Sequence, residues 1–138
     1  MRRIPLTVLF LAAVVVTLAT APLLDCGEAA HRRWASPDGA FTLTVCRRPM
    51  LFAMPGQGSD ASGYAVLHAQ GRVAGVVAID SVNGITYPPN WQPGSVELPL
   101  EAEFELPDSD SPIVAVPRDA AWRLRTALGL IPSSDEFR

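Results

Sequence analysis

The chain contains no lysine, because all eleven of its basic residues are arginine. This absence excludes mechanisms that need a lysine amine, such as a Walker-type phosphate loop, a Schiff base or a Ser-x-x-Lys hydrolase. Histidine and cysteine are scarce too, and His31, His68, Cys26 and Cys46 have no metal-ligand spacing. We therefore expect neither a metal nor a cofactor.

Positive charge is also in short supply. The whole chain carries a net charge of −3, and removing the two positive charges of Arg2 and Arg3 leaves −5. Sequence-independent binding to nucleic acid depends on basic residues at phosphates, so we exclude nucleic acid as a partner. Thirteen prolines and ten glycines favour short strands and turns over long helices.

The N-terminus carries the longest apolar run. Arg2 and Arg3 precede an apolar stretch from Ile4 to Leu24, and the small residues Ala19-Thr20-Ala21 near its end complete the layout of a secretory signal peptide. Proline is a poor residue after a cleavage site, and Pro22 stands there. The run is about 20 residues long, enough to cross a bilayer as a helix, so a retained inner-membrane anchor is an alternative.

A third alternative is a lipoprotein signal at Cys26, although Asp25 is not the small residue that such a site requires. In every case the rest of the chain is expected to be exported to the periplasm. Cys26 and Cys46 would then meet an oxidising compartment and form a disulfide that closes a loop of about 20 residues.

Turn signals and alternating apolar residues predict a mainly β fold. The turn Ser36-Pro37-Asp38-Gly39 opens the first strand, and Gln70-Gly71 joins two strands as a hairpin covered on both sides. The predicted strands are about 40–48, 64–69, 72–80 and 95–106. Beyond them, 113–116 is predicted as a short strand, and a helix is predicted from Pro117 to about Leu128, with Gly129 as its stop.

These elements predict one small antiparallel sheet of four to five strands, a blade-like meander. An N-terminal membrane or signal helix precedes it and one short C-terminal helix follows. The corresponding segments are residues 1–24 (signal or anchor), 25–35 (linker), 36–112 (β domain), 113–131 (helical extension) and 132–138 (tail).

Alternation in the predicted hairpin also assigns its two faces. Six side chains are expected on one face: Tyr64, Val66, His68, Val73, Val77 and Ile79. Five are expected on the other: Ala65, Leu67, Ala74, Val76 and Ala78.

Two segments are candidates for binding a protein partner. Residues 95–106 alternate strictly, so one strand face would carry the carboxylates Glu97, Glu101, Glu103 and Glu105. Such a stripe either protects a sheet edge against aggregation or pairs with a basic surface, such as the arginines of the C-terminal helix. The irregular segment 49–63 carries Met50, Leu51, Phe52 and Met54, which either pack under the sheet or form an adaptable surface.

Several of these motifs together resemble a group of small exported proteobacterial proteins of uncharacterised function. The resemblance covers roughly residues 1–107 and depends on the Ser36–Gly39 turn, the Arg47-Arg48-Pro49 strand end, the run from Met50 to Asp60 and the hairpin around Gln70-Gly71-Arg72. It implies a single compact sheet behind a signal or anchor and a role in immunity against toxins delivered by neighbouring cells. Cys46 in the strand and the extension past residue 107 depart from it.

We therefore expect a non-catalytic periplasmic binding protein, most concretely an immunity protein against a toxin. The alternative is a membrane-anchored structural component of the envelope. A third hypothesis, a small hydrolase, requires a pocket that unites His68 with Ser59 or Ser62, although the chain has no Gly-x-Ser-x-Gly motif.

Overall fold

The computed structural model describes residues 6–20, 26–27, 30–48, 61–99, 101–108 and 112–132. Within these ranges, the structure has two α-helices and seven strands, with a short 3₁₀ helix at Val82–Gly84. The elements in chain order are α1 (Leu6–Thr20), β1 (Ala30–Ala35), β2 (Phe41–Arg47), β3 (Gly63–Ala69), β4 (Arg72–Ile79), β5 (Asn90–Gln92), β6 (Ser95–Leu98), β7 (Ala102–Glu105) and α2 (Pro112–Ala127).

The strands form two antiparallel sheets, in the orders β1-β2-β3-β4 and β5-β6-β7. The mainly β, antiparallel prediction is confirmed, whereas the single sheet is wrong. β1 lies in the predicted linker 25–35, and β5 lies between the predicted strands 72–80 and 95–106. Neither strand shows apolar alternation, so only their pairing with β2 and β6 could reveal them.

The predicted strand 95–106 is two strands. A turn closed by the Glu101 N–H and the Leu98 carbonyl oxygen, 3.0 Å apart, separates β6 from β7. Pro99 lies in this turn, where its missing N–H costs no ladder bond. The alternation survives the turn because Val96 pairs directly with Phe104, which puts the apolar sets of both strands on the core side.

The β3–β4 hairpin turns at Gln70-Gly71 as predicted, and both residues have positive φ, 51° and 77°. A β-bulge interrupts its register, because Leu67 pairs with Gly75 while His68 pairs with Val73. The extra residue exchanges the two faces beyond it. The predicted faces are therefore wrong for Val76, Val77, Ala78 and Ile79.

The apolar side chains form two clusters, one on each face of the four-stranded sheet. The first lies between the two sheets and comprises Leu43, Val45, Ala65, Leu67, Val77, Ile79, Val82, Ile85, Val96, Leu98, Ala102 and Phe104. The second comprises Cys46, Val66, Val73 and Val76, against which Trp122 of α2 packs. Each buried aliphatic side chain stabilises the fold by about 1.5–3 kcal/mol.

α2 begins at Pro112, so the predicted short strand at 113–116 is wrong. Pro117 lies inside the helix, where its missing N–H removes one intrahelical bond. The predicted stop is confirmed: Gly129 has a φ of 71°, and the Leu130 N–H donates to the Arg125 carbonyl oxygen at 2.8 Å. This Schellman-type bond satisfies one of the last carbonyls of the helix.

α1 is apolar on all sides and contacts α2. Much of its surface stays exposed, including 70% of Phe10 and 62% of Leu11. In the part of the chain that the structure describes, no helix combines the length and hydropathy needed to cross a membrane. The role of residues 1–24 as signal peptide or anchor stays a prediction.

Candidate functional site

The predicted acidic residues lie on the β6–β7 hairpin. Glu97 pairs directly with Glu103, Glu105 pairs with Ser95, and all three glutamates are exposed. Glu101 lies apart from them in the connecting turn and is half-buried. We call Glu97, Glu103 and Glu105 the acidic hairpin; it is a patch across two strands, not a stripe along one.

Like charges face each other in this patch. Side chains directly opposite on antiparallel strands have Cβ atoms about 4.5–5.5 Å apart, so the carboxylates of Glu97 and Glu103 repel each other. The repulsion destabilises the free protein slightly. A basic group placed between the two carboxylates would remove it.

Two arginines of α2 have partners within the helix itself. Arg123 Nε bonds to Asp119 Oδ2 at 3.0 Å, and the Arg125 guanidinium lies 5.2 Å from the centre of the Trp122 ring. Both groups are therefore engaged within α2. Arg118 lines a groove, described below, that Glu103 and Glu105 also line. α2 as a whole packs along β4, and the possibility that its arginines meet the acidic strand stays a prediction.

A groove of about 630 Å³ separates β4 from β7. One wall is the stretch from Ala74 to Val77, and the other is the stretch from Glu103 to Pro107. Its apolar floor is tightly built at Gly75, where an added Cβ would lie 3.0 Å from Cδ1 of Phe104. We call this space the edge groove.

A second cleft, of about 420 Å³, opens where the β3–β4 turn meets the β5–β6 turn and α2. Its charged lining residues are Asp38, Arg72, Asp108 and Arg118, so their formal charges cancel. The Asp38 carboxylate already accepts hydrogen bonds from the Ser36 hydroxyl and, at 3.0 Å, from the Ala40 N–H. These bonds hold the pKa of Asp38 below its ordinary value, the Ser36 bond most of all.

The structure does not bring together the two described residues of the hydrolase hypothesis, Ser62 and His68. Ser62 precedes β3, whereas His68 lies six positions later near the end of the same strand, about 20 Å away at the rise of a β-strand. His68 is half-buried and pairs with Thr42 and Val73. Ser59 lies outside the described residues.

The disulfide prediction is confirmed: Cys26 and Cys46 are bonded, with Cα atoms 5.7 Å apart. Met50, Leu51, Phe52 and Met54 lie outside the described residues, so their assignment as a binding surface stays a prediction. Among the described residues, no three His, Cys, Asp or Glu side chains are grouped as metal ligands.

The sequence reading missed the contacts by which α2 holds the sheet edge. The Val73 N–H donates to Asp119 Oδ1 at 2.8 Å, and Trp122 Nε1 donates to the Ala74 carbonyl oxygen at 3.1 Å. Both contacts join residues more than 45 positions apart. Of the residues in these contacts, only Asp119 carried a sequence signal. Its place near the predicted start of the helix indicated a helix terminus and not a contact with β4.

Comparison with known proteins identifies no relative of this chain. No protein-family model, curated protein or solved structure matches the chain. The resemblance to small exported proteobacterial proteins therefore stays a prediction.

Proposed function

We propose that this protein is a non-catalytic binding protein of the periplasm, most concretely an immunity protein that neutralises a delivered toxin through its acidic hairpin. The observation that supports this proposal is the exposed Glu97–Glu103 pair, two like charges placed directly opposite each other. A basic partner surface relieves their repulsion, so binding recovers stability that the free protein lacks.

Speed of capture fits this role. The net negative charge of the exported part and the exposed carboxylates of the hairpin attract a basic protein over several ångströms. Complementary charge raises the rate of encounter and selects the partner more than it raises affinity. An immunity protein needs such speed, because it must bind a toxin before the toxin reaches its target.

A competition assay in the native bacterium tests the proposal. A strain that lacks both this gene and its cognate toxin should be killed by wild-type neighbours and should be rescued by the wild-type gene. The triple variant E97R/E103R/E105R should fail to rescue, although it accumulates to the normal level.

The matched comparison is the single variant E103R against D80R, because Asp80 is an exposed carboxylate one residue after β4 and does not line the edge groove. E103R should weaken protection and D80R should preserve it. Equal survival of the deletion strain beside wild-type and toxin-free neighbours would remove the immunity function. Full protection by the triple variant would remove the acidic hairpin as its site.

The alternative is a structural envelope component, which the exposed apolar side chains of α1 favour. That role predicts detergent sensitivity of the deletion strain in pure culture, without neighbours. Immunity predicts normal growth under the same condition.

A further inference from the structure

Among the described residues, none pairs with the outer edge of β7. The Leu106 N–H donates to the Gly94 carbonyl oxygen at 2.8 Å, so the backbone groups of Leu106 point towards the β6 side. Backbone direction alternates along a strand, which turns the N–H and C=O groups of Glu103 and Glu105 away from β6. No described residue bonds to these outward groups.

The facing edge of β4 is treated differently. Besides the bonds from Val73 to Asp119 and from Trp122 to Ala74, the Ala78 N–H donates to the Pro132 carbonyl oxygen at 3.0 Å. Three contacts from α2 and the segment after it therefore occupy the β4 edge. Of the two strand edges that line the edge groove, the described residues cap one and leave β7 open.

We propose that the partner docks by strand addition: an extended segment with basic side chains at alternate positions pairs antiparallel with β7 as a fourth strand. This inference rests on the proposed function, since it names the part of the protein partner that is bound. Side chains opposite Glu103 and Glu105 share their exposed face, so basic residues there meet both carboxylates. The intervening side chains point into the edge groove towards Phe104 and Gly75.

The charges also select the occupant. A second copy of β7 approaching this edge would bring glutamate against glutamate, so the carboxylates oppose pairing of two identical edges. The same carboxylates favour a basic strand. A peptide of this pattern is therefore the appropriate probe.

Hydrogen exchange of the full-length, isotope-labelled protein tests strand addition. The probe is the synthetic peptide acetyl-TRVRVRT-amide. At a concentration about ten times its Kd, the peptide should slow exchange of the Glu103 and Glu105 amides about tenfold, because only the unbound fraction exchanges.

The matched control peptide has the same side chains but carries a methyl group on each arginine backbone nitrogen. Those nitrogens face β7 in the proposed pairing, so methylation preserves charge and removes the hydrogen bonds. The methylated peptide should leave exchange at Glu103 and Glu105 unchanged. Replacing both glutamates by E103Q/E105Q should weaken the unmethylated peptide several-fold, whereas D80N should not.

Three results would overturn strand addition. Equal binding of the methylated peptide would mean that charge alone acts. Slow exchange of the Glu103 and Glu105 amides in the free protein would mean that the edge is already occupied. If this protection does not depend on protein concentration, another part of the same chain covers the edge. If the protection increases with protein concentration, a second copy of the protein covers it. Absence of peptide binding with intact toxin protection would remove strand addition and leave immunity, whereas the reverse result would remove immunity alone.

Discussion

Asp38 shows how one turn residue can make stability depend on pH. Its carboxylate accepts hydrogen bonds from Ser36 and Ala40 and thereby fixes the turn that opens β2, in which Gly39 takes a φ of 73°. The bonds stabilise the charged form, which is why the pKa is lowered. The sequence predicted this turn from Ser-Pro-Asp-Gly because every interaction in it is local.

Because the pKa of Asp38 is lowered, the direction in which pH changes the stability of the fold can be predicted. A carboxylate with a folded pKa below its unfolded value contributes stability above the unfolded pKa, and loses it as pH falls through the folded pKa. D38N should therefore lower the urea midpoint at about pH 7, and its difference from the wild type should shrink below the ordinary Asp pKa of 3.8. A difference that stays constant down to about pH 2 would contradict this role.

At the scale of elements, α2 is held to the sheet by polar contacts at the β4 edge as well as by packing. Asp119 accepts from the Val73 N–H and from Arg123 Nε, and thus joins the helix to the strand. D119A leaves the Val73 N–H without its acceptor, and we expect a loss of about 1–3 kcal/mol in the free energy of unfolding. Urea denaturation measures this loss.

The control for this prediction is D80A, which removes an exposed carboxylate from the residue that follows the same strand. It should change the free energy of unfolding by no more than about 0.5 kcal/mol. If D119A and D80A unfold alike, the bond to Val73 contributes nothing measurable and α2 is held by Trp122 and its apolar neighbours alone.

Elements with strong local signals could be predicted from the sequence, and those set by pairing could not. Gln70-Gly71 and Gly129 require positive φ, which identified a hairpin and a helix end. The bulge at Ala74 and Gly75 had no such signal, because either register of this apolar strand buries aliphatic side chains. The division of residues 95–106 into two strands could not be predicted for a related reason. Val96 before the turn and Phe104 after it both face the core, so the alternation of apolar residues continues without a break.

The candidate site followed the same division. Alternation identified the exposed glutamates correctly for Glu97, Glu103 and Glu105, since it survives the turn. It could not reveal that Glu97 lies opposite Glu103, nor that the described residues leave the outer edge of β7 unpaired. Both facts depend on tertiary pairing, which no local pattern encodes.

At the scale of the whole molecule, the disulfide joins the segment just before the four-stranded sheet to the interior of that sheet. Cys46 is 1% exposed and belongs to the cluster beneath α2, while Cys26 precedes β1. The bond closes a loop of about 20 residues, so reduction should lower the free energy of unfolding by about 3 kcal/mol.

Urea denaturation of the unmodified protein with and without a thiol reductant measures this effect, and reoxidation serves as the control because it should restore the original midpoint. Mass analysis confirms the redox state of each sample. An unchanged midpoint after complete reduction would show that the loop is held by β1–β2 pairing without the bond.

The same disulfide decides how the domain would carry mechanical tension. A pull that reaches Cys26 is transmitted to Cys46 in β2, which is bonded to a neighbouring strand on each side. The load therefore bypasses β1, the outer strand that would otherwise peel away one hydrogen bond at a time. Extracting β2 instead requires many bonds to break together, so a domain tethered by its N-terminus would resist forces that unzip an ordinary edge.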